Sequence, residues 1–324
     1  MPVTIKHAAR ALIFVGGLVL LLFLLSKVFI PAEGTIDDGV HTLHSNGIYG
    51  EADNSIDLVF LGDSVVYSSI SPLQIWDKYG IPTYCCSTSA QKLWYSEDML
   101  KKAFKKQSPK VVMMETNSLF TKFNFDDSIL HKAETVLPVL QYHDRWKVFA
   151  ENTFDGREEV ISTNEYKGYK LSYLINPSEN LKYMEQKLAI ESIPSRNKSY
   201  FKQIRSYCED RGAKLILFTC PSTKNWNKAR HDAVAKLSEE LGLDYIDLNM
   251  MPKDLMIDWS KDTRDRGDHL NHFGAIKTTE YLGQYISKLG IFTDRRNEEN
   301  YQSWNTAAEK FIKKTTKAMK KIQQ

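Results

Sequence analysis

Short apolar runs alternate with amphipathic stretches through the middle of this chain, and that alternation confines it to an α/β fold built on parallel strands with crossover helices. Ile56 to Leu61, Pro82 to Cys86, Lys110 to Met114, Lys214 to Thr219 and Asp244 to Leu248 read as strands. Pro72 to Tyr79, Ser96 to Lys106, Ser195 to Arg211, Ala229 to Leu241 and Gly274 to Leu289 read as the helices that follow them. Gly212 and Gly242 fall at two helix-to-strand junctions, where glycine commonly ends a helix.

The first strand ends in Gly62-Asp63-Ser64, which puts a hydroxyl at the carboxyl edge of the sheet, the usual ligand side of an open α/β fold. A serine is a poor nucleophile until a base removes its proton and a third group orients that base. Far downstream, Asp265-Arg-Gly-Asp-His-Leu-Asn-His-Phe-Gly274 offers His269 as base, with Asp265 and Asp268 as carboxylates to orient it. Between them, Tyr84-Cys-Cys-Ser-Thr-Ser-Ala-Gln91 closes the second strand and Val111-Val-Met-Met-Glu-Thr-Asn-Ser118 closes the third.

These four blocks, in this order, resemble those of the SGNH hydrolases, also called GDSL-type esterases and acetylhydrolases, over approximately residues 55 to 290. The resemblance implies a three-layer flavodoxin-like α/β domain with a central parallel sheet and needs neither cofactor nor metal. It assigns Ser64 as nucleophile and His269 as base, and it implies an oxyanion hole from the backbone N–H groups of Ser64 and Ala90 and the side-chain amide of Asn117. Ala90 stands where the family carries a glycine, and Glu115 and Ser118 flank Asn117 where the family has other residues. In most of the family the triad aspartate lies three residues before the histidine, and that position is Arg266 here. Either Asp265 or Asp268 could orient His269. A turn between Asp265 and His269 favours Asp265, because adjacent residues of an extended segment point apart.

Ahead of this domain, Lys6, His7 and Arg10 precede an apolar run from Ala11 to Leu25 that resumes through Ile30. A spanning helix needs about 20 mostly apolar residues, a length reached when Lys27 snorkels to the interface. Basic residues before the span predict a cytoplasmic amino terminus and an exported remainder. A cleaved signal peptide is the rival, with Ile30-Pro-Ala-Glu a poor match to a cleavage site. The expected division is 1–32 as cytoplasmic start and transmembrane anchor, 33–295 as the exported domain and 296–324 as a basic amphipathic helix or tail.

A net charge of +3 and the lack of zinc-finger, helix-turn-helix or RNP patterns argue against a nucleic-acid partner. Cys85, Cys86, Cys208 and Cys220 are too few for a disulfide framework in 324 residues and read as small buried hydrophobes, though export leaves a Cys220 bridge open.

Residues 119–195 separate the third and fourth strands by far more than a crossover requires and carry Tyr142-His-Asp-Arg-Trp146 and Tyr166-Lys-Gly-Tyr-Lys170. Such an insertion reads either as a lid or substrate wall, or as a subdomain covering a sheet edge. Aromatic faces suit sugar rings, and arginine and lysine suit an anionic polymer. The expected substrate contacts are Gln91, Trp94, Arg145, Trp146, Trp226 and Asn271, with Pro221 to Trp226 as a second wall. At the carboxyl end, Trp304, Ala308, Phe311, Ala318, Met319 and Ile322 form a helical stripe ringed by lysines, which reads as a solvated tail or as a membrane- or polymer-facing helix.

The layout of one amino-terminal span before an exported domain resembles bacterial factors that act beside membrane-bound O-acyltransferases to acylate cell-envelope polysaccharide or teichoic acid. The resemblance therefore implies acyl transfer or ester hydrolysis on such a polymer, with a membrane-bound O-acyltransferase as partner. An exported esterase or lipase on small acyl esters, and an envelope assembly protein that keeps the fold without the chemistry, are the alternatives.

Overall fold

The computed structural model describes residues 3–29, 43–122, 124–143, 163–185 and 189–322, which divide into two compact units. In chain order the elements used below are α1 (Val3–Phe29), β1 (Leu58–Gly62), α2 (Ser64–Ser69), α3 (Pro72–Tyr79), β2 (Thr83–Ser87), α4 (Leu93–Ala103), β3 (Val111–Glu115), α5 (Phe125–Val136), α6 (Val139–Tyr142), α7 (Ser195–Glu209), β4 (Lys214–Thr219), α8 (Lys228–Leu241), β5 (Tyr245–Asp247), α9 (His272–Ser287) and α10 (Gln302–Ile322).

The smaller unit joins residues 1–43 to 123–162. Its α1 holds a 25-residue stretch, Ile5–Phe29, long and apolar enough to cross a membrane or to act as a signal sequence. Leu12, Ile13 and Phe14 are exposed along it. Near its end the Ser26 hydroxyl donates to Leu22 O and accepts from the N–H of Val139, which ties α6 to α1. The insertion expected over 119–195 is thus shared out, with 123–162 in this unit and 119–122 and 163–195 in the larger one.

The larger unit is a five-stranded, all-parallel sheet in the order β2-β1-β3-β4-β5. Alternate residues leave opposite faces of a strand, so each strand feeds two cores. Val59, Leu61, Val112, Met114, Leu215 and Leu217 join Leu100 of α4, Phe201 and Ile204 of α7 and Val234 of α8 on one face. Leu58, Phe60, Val111, Met113, Ile216 and Phe218 join Val65 and Val66 of α2 and Leu282 and Ile286 of α9 on the other. Burial on both faces is why the strands read as continuous apolar runs rather than alternating ones. All four cysteines are free and buried in these cores, and burial pushes the Cys208 thiol up to about 12. No Cys220 bridge forms.

The lysine-rich carboxyl segment is a 21-residue helix docked on the domain rather than a free tail. Trp304, Ala308 and Phe311 are buried, and Trp304 and Tyr301 pack on Trp76 of α3 with ring centroids 5.3 Å apart. Lys310, Lys313, Lys317 and Lys320 face solvent. Ala318, Met319 and Ile322, expected on the inner stripe, lie past the last buried position, Thr315.

Tyr166 to Lys170 does not form a wall over the site. It covers the outer edge of β2, where the Cys85 N–H donates to Lys167 O at 3.0 Å. An uncovered edge strand invites pairing with another chain, and this strap removes it. Gly168 has φ +90°, and a Cβ there would lie 2.3 Å from Cys85 O. Gly168→Ala is expected to cost about 2 kcal/mol through that overlap and the left-handed backbone, read as a lower urea midpoint at unchanged slope.

Candidate active site

Ser64 opens α2 directly after β1, and the turn that presents it is fixed by its neighbour. The Asp63 carboxylate caps α2 by accepting from Val65 N at 3.0 Å. Its other oxygen accepts from Asn117 Nδ2 at 2.8 Å. Burial pushes the Asp63 carboxyl up, and those two hydrogen bonds pull it back in part.

His269 lies 205 residues away in sequence, yet its Nε2 is 2.7 Å from Ser64 Oγ. On the other side of the ring, Nδ1 is 2.6 Å from Asp265 Oδ2, and the His269 N–H donates to Asp265 Oδ1 at 2.7 Å. Of the two carboxylates left open by the sequence, Asp265 is the one bonded to the imidazole. Asp268 Oδ1 stands 3.8 Å from Nδ1 and accepts from Asn225 Nδ2 instead. Partial burial raises the Asp265 carboxyl, but the bonds from the His269 ring and N–H, with Arg264 nearby, outweigh it and hold the group below the usual carboxylate range. The serine is therefore linked through the imidazole to a carboxylate that stays ionised.

The extra residue between aspartate and histidine is absorbed by a tight turn. Arg266 and Gly267 both take left-handed backbone, with φ 64° and 88°, so the chain doubles back and carries Asp265 over His269. Thr263 closes the turn, donating from Oγ1 to His269 O at 2.9 Å and accepting from Gly267 N at 2.8 Å. Ser222 Oγ and the Thr223 N–H, just after β4, donate to Gly267 O at 3.1 and 2.8 Å. A Cβ on Gly267 would meet Thr223 Oγ1 at 1.9 Å. The stretch after β4, expected to be a substrate wall, thus acts as a clamp on the base loop. Residues 172–178 add a second clamp: Arg266 N donates to Asn176 O at 2.9 Å and His272 N to Ser172 O at 2.7 Å.

Ser64, Ala90 and Asn117 follow the ends of three neighbouring strands, β1, β2 and β3, so the sheet order sets the nucleophile loop between the other two. Ala90 adopts φ 50°, the conformation glycine takes freely, at a cost of about 1 kcal/mol for a residue with a Cβ. Tyr67 of α2 and Ser89 share a hydrogen bond of 3.0 Å that ties this loop to the nucleophile helix. The Asn117 N–H donates to Glu115 Oε2 at 2.8 Å. Glu115 is fully buried, and burial followed by the nearby Asp63 charge raises its carboxyl well above the ordinary range.

Three of the expected substrate contacts are turned inward. Gln91 is 2% exposed, and its amide donates to Ser96 Oγ at 2.9 Å and accepts from Thr88. Trp226 is equally buried, bonded through Nε1 to Asp247 at 2.8 Å and edge-on to Phe120. Asn271 caps α9 and donates to Leu174 O and Lys261 O, joining the second clamp to the helix start. These positions hold loops in place, because a buried amide or indole must spend its hydrogen bonds inside the protein. Trp94 is half-buried beside Tyr95. Arg145 and Trp146 lie outside the described residues.

Asp63, Thr263 and Arg230 are not among the expected site residues, and Ser222 is expected only as part of the second wall. Asp63 was readable from its place before the serine, since a carboxylate there can cap the following helix. The other three sit in ordinary local sequence and gain their roles only through long-range contact.

A serine on a histidine on a carboxylate, at the carboxyl edge of a parallel sheet, is the relay a serine acyl hydrolase or transferase requires. No protein-family model and no curated protein matches the sequence. Among solved structures the chain is similar to a Bacteroides fragilis protein named as an acylhydrolase, at 11% identity, covering 76% of this chain and 95% of that one with a TM-score of 0.41. It is also similar to an acetyl xylan esterase, at 14% identity, 73% and 100% coverage and a TM-score of 0.38. The psychrotrophic esterase EstA of a Pseudoalteromonas species is another, at 10% identity, 72% and 97% coverage and a TM-score of 0.39.

Proposed function

We propose that this chain is a serine enzyme of the SGNH type that moves acyl groups on cell-envelope polysaccharide, exported behind its apolar amino-terminal helix and working with a membrane-bound O-acyltransferase. The observation that carries the serine chemistry is the unbroken relay from Ser64 Oγ through His269 to Asp265, at 2.7 and 2.6 Å. In the first step Ser64 Oγ bonds to the acyl carbonyl carbon and its proton passes to His269 Nε2. Collapse of the tetrahedral adduct breaks the ester C–O bond, and the alcohol leaves with the proton from His269. An acceptor hydroxyl then repeats the steps in reverse. Water as acceptor makes the protein an esterase, and a sugar hydroxyl makes it an O-acyltransferase. The polymer and the partner rest on the resemblance in layout, namely a single apolar amino-terminal helix ahead of the four sequence blocks.

The test is labelling of the detergent-solubilised full chain by a fluorophosphonate probe. The wild type is expected to label, and Ser64→Ala and His269→Ala to lose at least about 99% of the signal with an unchanged circular dichroism spectrum. A folded wild type that does not label overturns the reading. Co-purification with a membrane-bound O-acyltransferase, and release of acetate or D-alanine from envelope polymer, test the partner and the acceptor.

A further inference from the structure

Asn117 is the side chain on which the oxyanion hole of the proposed reaction most depends, because a side-chain amide can rotate while a backbone N–H cannot. Its two ends are held by opposite charges. Nδ2 donates to the Asp63 carboxylate at 2.8 Å, and Oδ1 accepts from Arg230 Nη1 at 3.1 Å. A flipped amide would set Nδ2 against a guanidinium that can only donate and Oδ1 against a carboxylate, so one orientation is fixed. In that orientation one Nδ2 hydrogen is committed to Asp63, Nδ2 has no second acceptor among the described residues, and Asn117 is only half-buried.

Arg230 is itself anchored at four points. Its Nε and Nη2 meet the two Glu191 oxygens at 2.9 and 3.2 Å, its Nη1 also donates to Asn225 O at 2.8 Å, and its guanidinium lies 4.9 Å from the Phe120 ring centre. Its backbone N–H is the one capped by Asn227 at the start of α8. Asn225 in turn donates from Nδ2 to Asp268, the neighbour of His269. One guanidinium therefore spans the loop after β3 and the loop after β4 that clamps the base.

We propose that Arg230 is a positioning residue that orients and polarises Asn117 for the tetrahedral intermediate. This rests on the serine-hydrolase reading above. A cation on the amide oxygen draws electron density from nitrogen and strengthens the remaining N–H as a donor, as linked hydrogen bonds do. The gain appears only when negative charge develops on the substrate oxygen, so it enters kcat rather than ground-state binding.

The experiment is a double-mutant cycle on the full chain in detergent, with p-nitrophenyl acetate turnover and the fluorophosphonate labelling rate as readouts. Arg230→Met is expected to lower kcat about tenfold or more while KM stays within about twofold, and Arg230→Lys, which retains a cation, to recover part of the loss. Asn117→Ala is expected to lose about 100-fold, and Asn117→Ala with Arg230→Met no more than about twofold beyond that. Losses that multiply in the double variant, or an Arg230→Met kcat within about twofold of wild type, overturn the proposal. Should the methionine variant not fold, Arg230→Gln, which removes the charge but keeps a polar group facing Glu191, takes its place in the cycle under the same criterion. Wild-type protein that labels while the cycle is additive removes only the role of Arg230; wild-type protein that does not label removes the serine-hydrolase reading and this proposal together.

Discussion

Asp265→Asn is expected to lower kcat on an activated ester by about a thousand- to ten-thousandfold, whereas Asp268→Asn changes it by less than about fivefold. The distinction is geometric. Asp265 receives both the ring Nδ1 and the backbone N–H of His269, at 2.6 and 2.7 Å, so it fixes the tautomer that leaves Nε2 free to take the serine proton. In the proposed reaction it also supplies the negative charge that stabilises the imidazolium once that proton has moved. An asparagine keeps the shape but loses the charge, and its amide nitrogen can face Nδ1, which selects the wrong tautomer. Asp268 is 3.8 Å from Nδ1 and engaged with Asn225, so its removal mainly loosens the loop. Steady-state kinetics of the two variants, with circular dichroism to establish folding, decide the point. Equal losses would mean that the two carboxylates share the role.

The second large effect is on acid stability and is traced to His272, which follows the triad loop but faces away from it. The ring is 2% exposed, packed among Tyr169, Tyr173 and Phe311, with Nδ1 bonded to the Tyr169 hydroxyl and a buried Nε2 that has no hydrogen-bond partner among the described residues. Burial lowers its pKa from 6.5 to about 4. Because the folded value lies below the unfolded one, the unfolded chain binds the extra proton between these limits. The contribution to stability is complete above about pH 6.5 and is lost progressively as the pH falls toward 4, for a total of about 3 kcal/mol.

Other groups act in the opposite sense. The raised carboxyls of Glu115 and Asp63 favour the folded state on acidification, so the total pH profile mixes several groups. A difference measurement isolates the histidine. His272→Phe suits the aromatic surroundings and cannot be protonated. It is expected to lie within about 1 kcal/mol of wild type at pH 7.5 and to be more stable by about 2 kcal/mol at pH 5, from urea unfolding at both values. A gap between variant and wild type that does not change with pH would show that His272 does not control acid unfolding.

Much of the fold was legible because a doubly covered parallel sheet writes its strands as uninterrupted apolar runs. Lys214–Thr219 and Pro72–Tyr79 match the expected limits, and the other strands differ by one or two residues at each end. The α2 helix is not legible in the sequence, since Ser64 to Ser69 is only six residues long and its Val65 and Val66 repeat the apolar composition of β1. Substrate contacts are the least legible feature of the sequence. Aromatic and amide residues near the motifs at Gln91, Trp226 and Asn271 resemble ligand contacts in sequence, yet packing turns all three inward.

Local sequence singled out Ser64 and His269 as the candidate nucleophile and base, because a serine closing an apolar strand and a histidine flanked by carboxylates can be recognised without knowing what surrounds them. It also determined the α/β class and the apolar helix at the amino terminus. Only the tertiary structure decided which carboxylate serves His269, since that follows from two consecutive left-handed residues, Arg266 and Gly267, which no local propensity requires of an arginine. Only the tertiary structure placed Arg230 on Asn117, across 113 positions of sequence. A hydrogen bond between groups so far apart in the chain is set by the order in which the strands pair and by the helices packed against them, and that order is a property of the whole sheet rather than of any segment within it.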